Sequence, residues 1–342
     1  MSALRVGIVG TGFGATVHAP AFVRHPRFEL VAIASPNRAE AVAKERRIPH
    51  AFRSIEEMLA GVELDVVSVA SPPFDHHRSV TAALRAGKHV LCEKPFALSV
   101  AEAEEMTAGC ERAGVVGALC FEFRYSPEIA ALARLLGDGA VGPLREVEVT
   151  RFGRDLLERE TRRARGWWFE REKGGGIANA VMPHFFDLAN VLAGRPPRAT
   201  HGLVRTANRR RLDAEGPFES TVADGAFAFV DYGDGVVARV SSDATTVLNA
   251  TTVAIHGEAG SGVASGTWFG DLRVFTVGED DQDEIDVPSI QHTGAHEIPN
   301  VPFFLSLLDA FVARIDAGRD GVPTFADGLI VQRQLAAIGY GT

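Results

Sequence analysis

Lys94 is the residue around which the chemistry of this chain can be organised. It stands in His89-Val90-Leu91-Cys92-Glu93-Lys94-Pro95, a short apolar run that ends in an acid, an ammonium and a proline. Val90 to Cys92 reads as a buried strand, and Pro95 stops it because proline has no N–H to donate and a fixed φ. In an open parallel sheet, ligands bind outside the carboxyl ends of the strands. A lysine at that edge is placed to meet a reacting oxygen. The second candidate is His184, in Ile177-Ala178-Asn179-Ala180-Val181-Met182-Pro183-His184-Phe185-Phe186-Asp187-Leu188, a helix that follows Gly174-Gly175-Gly176. A histidine in an apolar helix is most simply structural. The glycine tract and the aromatic segment before it shift this one towards a catalytic or substrate-binding role. Asp187, one turn on, reads as a hydrogen-bond acceptor in the core.

The elements that must position Lys94 lie upstream. Leu4 to Val9 is an apolar strand leading into Gly10-Thr11-Gly12-Phe13-Gly14-Ala15 and a helical stretch to about His25. Strand, tight glycine turn and helix form a dinucleotide cradle: Gly10 permits the turn, Gly12 lets the backbone approach a pyrophosphate, and Ala15 allows close packing. The helix start offers free N–H groups to phosphate. The second strand, Phe28 to Ala34, runs into Ser35-Pro36-Asn37-Arg38, with no acid to accept from an adenosine ribose. Ser35 and Asn37 can donate to a 2′-phosphate and Arg38 can pair with it, which favours NADP over NAD. Asp65 to Ala70 is a further strand. It ends in Ser71-Pro72-Pro73 at the same carboxyl edge, and the helix after it carries His76 and His77. One of these histidines is expected to pack under the turn and the other to face solvent. Ser54-Ile55-Glu56-Glu57 and Ser99-Val100-Ala101-Glu102 are capping boxes. Val115 to Phe121 closes this half as a buried strand. Repeated strand–helix order predicts a parallel, doubly wound Rossmann sheet over residues 1–121.

Residues 122–342 read as a second, α+β domain with a large, mostly antiparallel open sheet. Ser126 to Leu136 is a helix and Glu146 to Phe152 a strand with one wet face. Phe227–Tyr232, Val236–Ser241, Thr251–His256 and Leu272–Val277 follow as an antiparallel meander. Between them, residues 151–173 carry eight basic and five acidic side chains and Trp167-Trp168-Phe169. This reads as a long solvated loop whose aromatic trio sits over a pocket or in a subunit contact. The acidic stretch 277–286 reads as a solvated loop, and two amphipathic helices end the chain.

The 342 residues favour two domains. A net charge of −9 argues against nucleic acid or an anionic membrane as partner. No apolar run reaches the roughly 20 residues of a membrane span. The start of the chain shows no export signal, and Cys92, Cys110 and Cys120 form no metal or CxxC spacing. A cytoplasmic protein without a resident metal is expected.

In order along the chain, several of these segments resemble the Gfo/Idh/MocA family of pyridine-nucleotide-dependent oxidoreductases. They are the glycine turn with His18, Ser71-Pro72-Pro73 with His76, and Ala86-Gly87-Lys88-His89-Val90 through Glu93-Lys94-Pro95. Arg124-Tyr125-Ser126-Pro127, the glycine tract to His184, and Phe325-Ala326-Asp327-Gly328-Leu329 continue the pattern. The resemblance implies hydride transfer between a nicotinamide and a hydroxyl or carbonyl carbon of a sugar, polyol or related compound. Lys94 would stabilise the reacting oxygen and His184 would give or take its proton. Arg124, Tyr125, Trp168 and Asn179 become candidate substrate contacts. Homodimers or homotetramers through the C-terminal sheet are implied as well. Many members carry an aspartate four residues before the histidine; here Ala180 takes that place beside Asn179. Two further readings remain: a non-catalytic sensor of NAD(P) or a sugar, and an NAD-recycling, glycoside-cleaving enzyme of the same superfamily.

Overall fold

The computed structural model describes residues 2–161, 163–267, 271–276, 283–285 and 300–340. They form two compact units. The first comprises the chain up to Glu122 together with the described part of Gln291–Gln332, and the second Phe123–Ile290 with Arg333 onward. The expected blocks are 1–121 and 122–342; the described residues from Asn300 to Gln332 cluster with the first unit.

The first unit is a six-stranded parallel sheet. Its strands are β1 (Leu4–Val9), β2 (Phe28–Ala34), β3 (His50–Phe52), β4 (Val66–Val69), β5 (His89–Cys92) and β6 (Gly117–Leu119), in the order β3-β2-β1-β4-β5-β6. Both faces are covered by helices, so the strand residues Val6, Ile8, Val66, Val67, Val90 and Leu91 are fully buried. The helices are α1 (Ala19–Arg24), α2 (Ala39–Arg46), α3 (Ile55–Gly61), α4 (Pro73–Arg85) and α5 (Val100–Ala113). The helical stretch after the glycine turn is split, with a wide π-type turn at Gly14–His18 leading into α1. Both serines cap their helices: Ser54 accepts from the Glu57 amide and Ser99 from the Glu102 amide, each at 3.2 Å, while the Glu57 and Glu102 carboxylates reach back one residue further, to the Arg53 and Leu98 amides. β6 is shorter than the expected strand. Its open edge is covered by the returning chain, where the Leu119 amide donates to Pro323 O at 2.9 Å and Ala118 bridges Thr324. Of the two expected C-terminal helices, α8 (Asn300–Ala317) packs on α1 in this unit.

In the second unit, α6 (Pro127–Gly137) and α7 (Ile177–Ala193) pack on one face of an eight-stranded sheet. Its strands are β7 (Leu144–Phe152), β8 (Ala199–Arg205), β11 (Gly225–Gly233), β12 (Val236–Asp243), β13 (Ala250–Gly257), β14 (Gly260–Gly266), β15 (Asp271–Thr276) and β16 (Asp283–Ile285); β9 (Arg210–Asp213) and β10 (Gly216–Glu219) form a separate hairpin. The sheet is not a plain meander. β7 inserts between β13 and β12 and pairs parallel with β12. Alternating hydropathy marks strands and their wet faces but carries no information on which strands are neighbours. The other sheet face exposes Leu203, Phe229 and Val237 beside the Arg239–Glu148 ion pair. Except for β16, the stretch 277–286 expected as a loop lies outside the described residues.

The segment between β7 and α7 is not a loop in solvent. The Thr161 amide donates to Leu212 O and the Leu212 amide to Arg159 O, both at 2.9 Å, so the segment adds onto the β9–β10 hairpin. Arg165 clamps Asp213, with Nη2–Oδ1 at 2.7 Å. Phe169 is buried with Leu156 and Ala244, and Trp168 and Phe218 pack against that cluster. Arg151, counted with the basic stretch, lies in β7 with its guanidinium buried against Thr251, Thr267 O and Asn249.

Candidate active site and cofactor cradle

The glycine turn, Ser71 and Lys94 follow β1, β4 and β5, which are adjacent strands, so all three reach one sheet edge. Gly10 has φ +109°, and a Cβ there would be driven into the Ala70 carbonyl and to 2.6 Å from Ser71 N. Only glycine lets β1 and β4 approach this closely. Gly12 is exposed, and a Cβ on it would meet nothing within 4 Å. The turn thus presents backbone to open space. Gly14 and Ala15 are buried, Phe13 is half-buried, and Gly14 would drive a Cβ to 2.8 Å from the Ile8 side chain. Ser71 Oγ is buried and, among the described residues, has no hydrogen-bond partner. An open glycine surface beside an unsatisfied buried hydroxyl fits the dinucleotide that the turn implies.

At the end of β2, Thr11 Oγ1 lies 3.4 Å from Ser35 Oγ. Asn37 and Arg38 are exposed, and Arg38 makes no ion pair among the described residues.

His76 is a clamp below this edge. It is fully buried, with Nδ1 at 2.9 Å from Pro95 O and Nε2 at 2.9 Å from Ser71 O, so it fills the space between the Ser-Pro-Pro turn and the segment after Lys94 and donates to one of these carbonyls. Burial pushes its pKa below the usual 6.5, against the opposing pull of the Ser71 carbonyl and the Glu93 charge. His77 faces outward and meets Glu105 at 2.9 Å.

Lys94 is partly buried, and its Nζ lies 4.0 Å from Glu93 Oε2. Glu93 in turn meets His18 Nε2 at 3.0 Å through Oε1, and Ser68 Oγ lies 2.7 Å from His18 Nδ1. Cys120 adds its sulfur, so that ligand atoms of His18, Glu93 and Cys120 lie within 4.8 Å of one another. Three such groups can hold a metal ion. Their present bonding is a hydrogen-bond network, and burial pushes the Cys120 thiol well above its usual pKa, which favours the protonated form.

The second unit carries His184 on α7. Gly176, φ +98°, begins the helix, where a Cβ would be forced to 2.6 Å from Val222 Cβ. α7 is apolar on nearly every side and almost wholly buried, which fixes its rotation. His184 is 3% exposed and stacks on Phe123, with centroids 4.2 Å apart and planes at 23°. One turn on, buried Asp187 receives the Arg124 guanidinium at two edges, Nε–Oδ2 at 2.7 Å and Nη2–Oδ1. A further turn brings Asn190, bonded to Tyr232 Oη at 2.8 Å and to Gln334 at 2.8 Å. Burial, reinforced by the Asp187 charge, raises the Tyr232 pKa, keeping that phenol neutral.

Several expected substrate contacts are engaged by the protein itself. Arg124 binds Asp187. Asn179 Nδ2 donates to Gly174 O at 2.9 Å and so fastens the glycine tract to the helix that follows it. Trp168 packs on the aromatic cluster beneath the Arg163 guanidinium, 4.6 Å from its ring centroid. Tyr125 is half-buried at the end of the short 3₁₀ turn Glu122–Tyr125. Reading the sequence alone missed the Arg124–Asp187 pair, the Asn190 network, the Ser68 partner of His18, and Cys120 beside Glu93. A visible signal was the acid at Asp187 in an otherwise apolar helix, because a buried carboxylate needs a partner.

Comparison with known proteins agrees with this architecture. Residues 4–120 match the model of the oxidoreductase family with an NAD-binding Rossmann fold, and residues 129–263 match the GFO/IDH/MocA C-terminal domain. An uncharacterised oxidoreductase of Synechocystis is 31% identical, over 96% of this chain and 91% of its own. The 1,5-anhydro-D-fructose reductase of Ensifer adhaerens is 27% identical, over 97% and 96%. The solved structure of a levoglucosan dehydrogenase in complex with NADH and L-sorbose shares the fold, with TM-score 0.87 and 23% identity over 98% of this chain and 95% of that one. On these matches, together with the six-stranded Rossmann sheet and the mostly antiparallel sheet of the second unit, the chain belongs to the Gfo/Idh/MocA family of NAD-binding oxidoreductases.

Proposed function

We propose that this protein is an NAD(P)-dependent dehydrogenase or reductase acting on a hydroxyl or carbonyl carbon of a sugar or polyol, with a preference for NADP(H). The observation that carries the reading is the sheet edge on which an open glycine turn, an unsatisfied Ser71 hydroxyl and Lys94 follow adjacent strands. Relatives that reduce an anhydro sugar or oxidise sugars support the substrate class.

Gly10 to Ala15 hold the pyrophosphate by backbone N–H groups. Ser35, Asn37 and the exposed Arg38 take the adenosine 2′-phosphate. The bound nicotinamide supplies or accepts the hydride. The Lys94 ammonium donates to the reacting oxygen and stabilises negative charge developing there. His184 gives or takes the proton. Arg124 and Asn179 serve the substrate indirectly: Arg124 locks α7 through Asp187, and Asn179 shapes the glycine tract. Tyr125 and Trp168 remain the candidates for direct contact. The exposed face of the second unit's sheet, with Leu203, Phe229 and Val237, supports self-association as a dimer or tetramer.

The test is a pair of titrations of cofactor-stripped protein with NADPH and NADH, followed by a sugar and polyol screen. NADPH bound at least about tenfold more tightly, roughly 1.4 kcal/mol, supports the 2′-phosphate site. Equal or tighter NADH binding removes it. Cofactor binding without turnover on any sugar or polyol would favour a sensor. Cofactor that co-purifies, with no net change at the nicotinamide absorbance, would favour the glycoside-cleaving reading.

A further inference from the structure

His18 is wholly buried, four residues after Gly14, and belongs to none of the groups assigned above to cofactor or substrate. Its ring is held on every side. Ser68 Oγ lies 2.7 Å from Nδ1, Glu93 Oε1 lies 3.0 Å from Nε2, and Phe304 of α8 covers one face with centroids 4.3 Å apart. Phe13 and Phe22 meet the ring edge-on at 6.0 and 6.5 Å. The carboxylate that His18 meets also neighbours Lys94. Glu93 Oε2 accepts from the Lys94 amide at 3.2 Å and lies 4.0 Å from its ammonium. A continuous chain of polar contacts thus runs Ser68–His18–Glu93–Lys94, all within the first unit.

We propose that His18 is a positioning residue for Lys94. Its Nε2–H anchors one oxygen of Glu93 so that the other stays on Lys94, and Ser68 selects the tautomer by donating to Nδ1. The physical requirement is strict. Glu93 is buried, and a buried carboxylate that loses one of its donors turns towards its remaining partners or takes up a proton more readily. Either response loosens the fixed hold of its charge on Lys94. A serine that orients a histidine, which in turn orients a carboxylate, holds the last group with little rotational freedom because each member is itself bonded. The consequence for turnover rests on the proposed role of Lys94; the positioning itself does not.

The test reads Lys94 directly. The whole protein is treated briefly with acetic anhydride at fixed pH, and acetylation of Lys94 is measured by peptide mass spectrometry relative to Lys44, Lys88 and Lys173. His18→Phe keeps an aromatic ring and removes the donor. In that variant Lys94 is expected to label roughly threefold faster than in the wild type, the size of effect expected on losing a partly exposed ion pair. His18→Gln, which restores an N–H donor, is expected to return labelling to the wild-type ratio. Ser68→Ala, a smaller change, is expected to raise labelling and covers the case in which His18→Phe does not fold. Unchanged Lys94 labelling in a folded His18→Phe or Ser68→Ala protein overturns the proposal. So does a His18→Gln protein that labels as fast as His18→Phe. If no sugar or polyol is ever turned over, the hydride-transfer reading fails while the labelling contrast still decides the role of His18.

Discussion

Two alanine substitutions in the glycine turn should have opposite consequences. At Gly10 the backbone sits at φ +109°, and a Cβ would be driven into the Ala70 carbonyl and to 2.6 Å from Ser71 N. Those atoms are backbone and cannot step aside. Forced left-handed backbone costs about 1–3 kcal/mol, and overpacking adds about 1–3 kcal/mol. Gly10→Ala should therefore lose roughly 2–6 kcal/mol of stability, with cofactor binding lost alongside it. At Gly12 a Cβ meets nothing within 4 Å and the backbone is outside the left-handed region. Gly12→Ala should leave stability unchanged or raise it by about 0.4–1 kcal/mol, through a less flexible unfolded chain. If the turn holds the pyrophosphate as proposed, the same methyl enters the open space in front of it. Losing one charge-assisted hydrogen bond costs about 1.5–3 kcal/mol, so NAD(P)H affinity should fall about 10- to 100-fold. Urea unfolding of the cofactor-free protein and nicotinamide fluorescence titration measure the two effects. A Gly12→Ala protein of normal stability that binds NADPH and NADH as the wild type does would refute the cradle.

Other perturbations reach other parts of the molecule. Lys94→Ala should reduce turnover strongly and leave cofactor affinity within a few fold; steady-state kinetics with parallel titration decides, and unchanged turnover removes Lys94 from the reaction. Asp187→Asn takes the charge from a buried pair with Arg124 and should cost about 3 kcal/mol of stability, measured by urea unfolding. Arg38→Ala should narrow any NADPH-over-NADH preference and leave NADH binding unchanged. Burial holds the His76 pKa below its unfolded value of 6.5, so the unfolded chain binds the extra proton first as pH falls. Stability from this group is full above about pH 6.5 and is lost below it, with a slope of up to about 1.4 kcal/mol per pH unit. Between pH 5 and 7 that slope should flatten in His76→Asn, followed by thermal unfolding across the range.

Much of the first unit was legible in the residues. Short apolar runs alternating with helices become a parallel sheet buried on both faces, and the glycine spacing between β1 and α1 has one steric solution. Ser54 and Ser99 cap their helices because an N-cap hydroxyl and an acid three residues on act locally. The second unit was less legible where pairing is long-range. The period of two in β7, β12 and β13 marks each as a strand, yet β7 lies between β12 and β13 although it precedes both in the chain. Residues 151–173 read as a solvated loop because the basic residues outweigh the acids. Once Arg165 meets Asp213 and Phe169 meets Phe218, the same charges become the attachment to a hairpin more than 40 residues later.

The sequence by itself determined the cradle, the placement of Lys94 at a strand end, and the family, since each depends on residue type at short spacing. Only the tertiary structure decided what individual side chains do. Arg124 was a candidate for substrate from its motif alone, and Asp187, 63 positions away, takes its guanidinium; of the two adjacent histidines expected to divide between the turn and solvent, packing put His76 between the Ser71 and Pro95 carbonyls. His18 was only a motif letter until Ser68, Glu93 and Phe304 surrounded it. The reason is desolvation: a polar group taken out of water must find its partner in three dimensions, and which partner it finds depends on packing that no local spacing encodes.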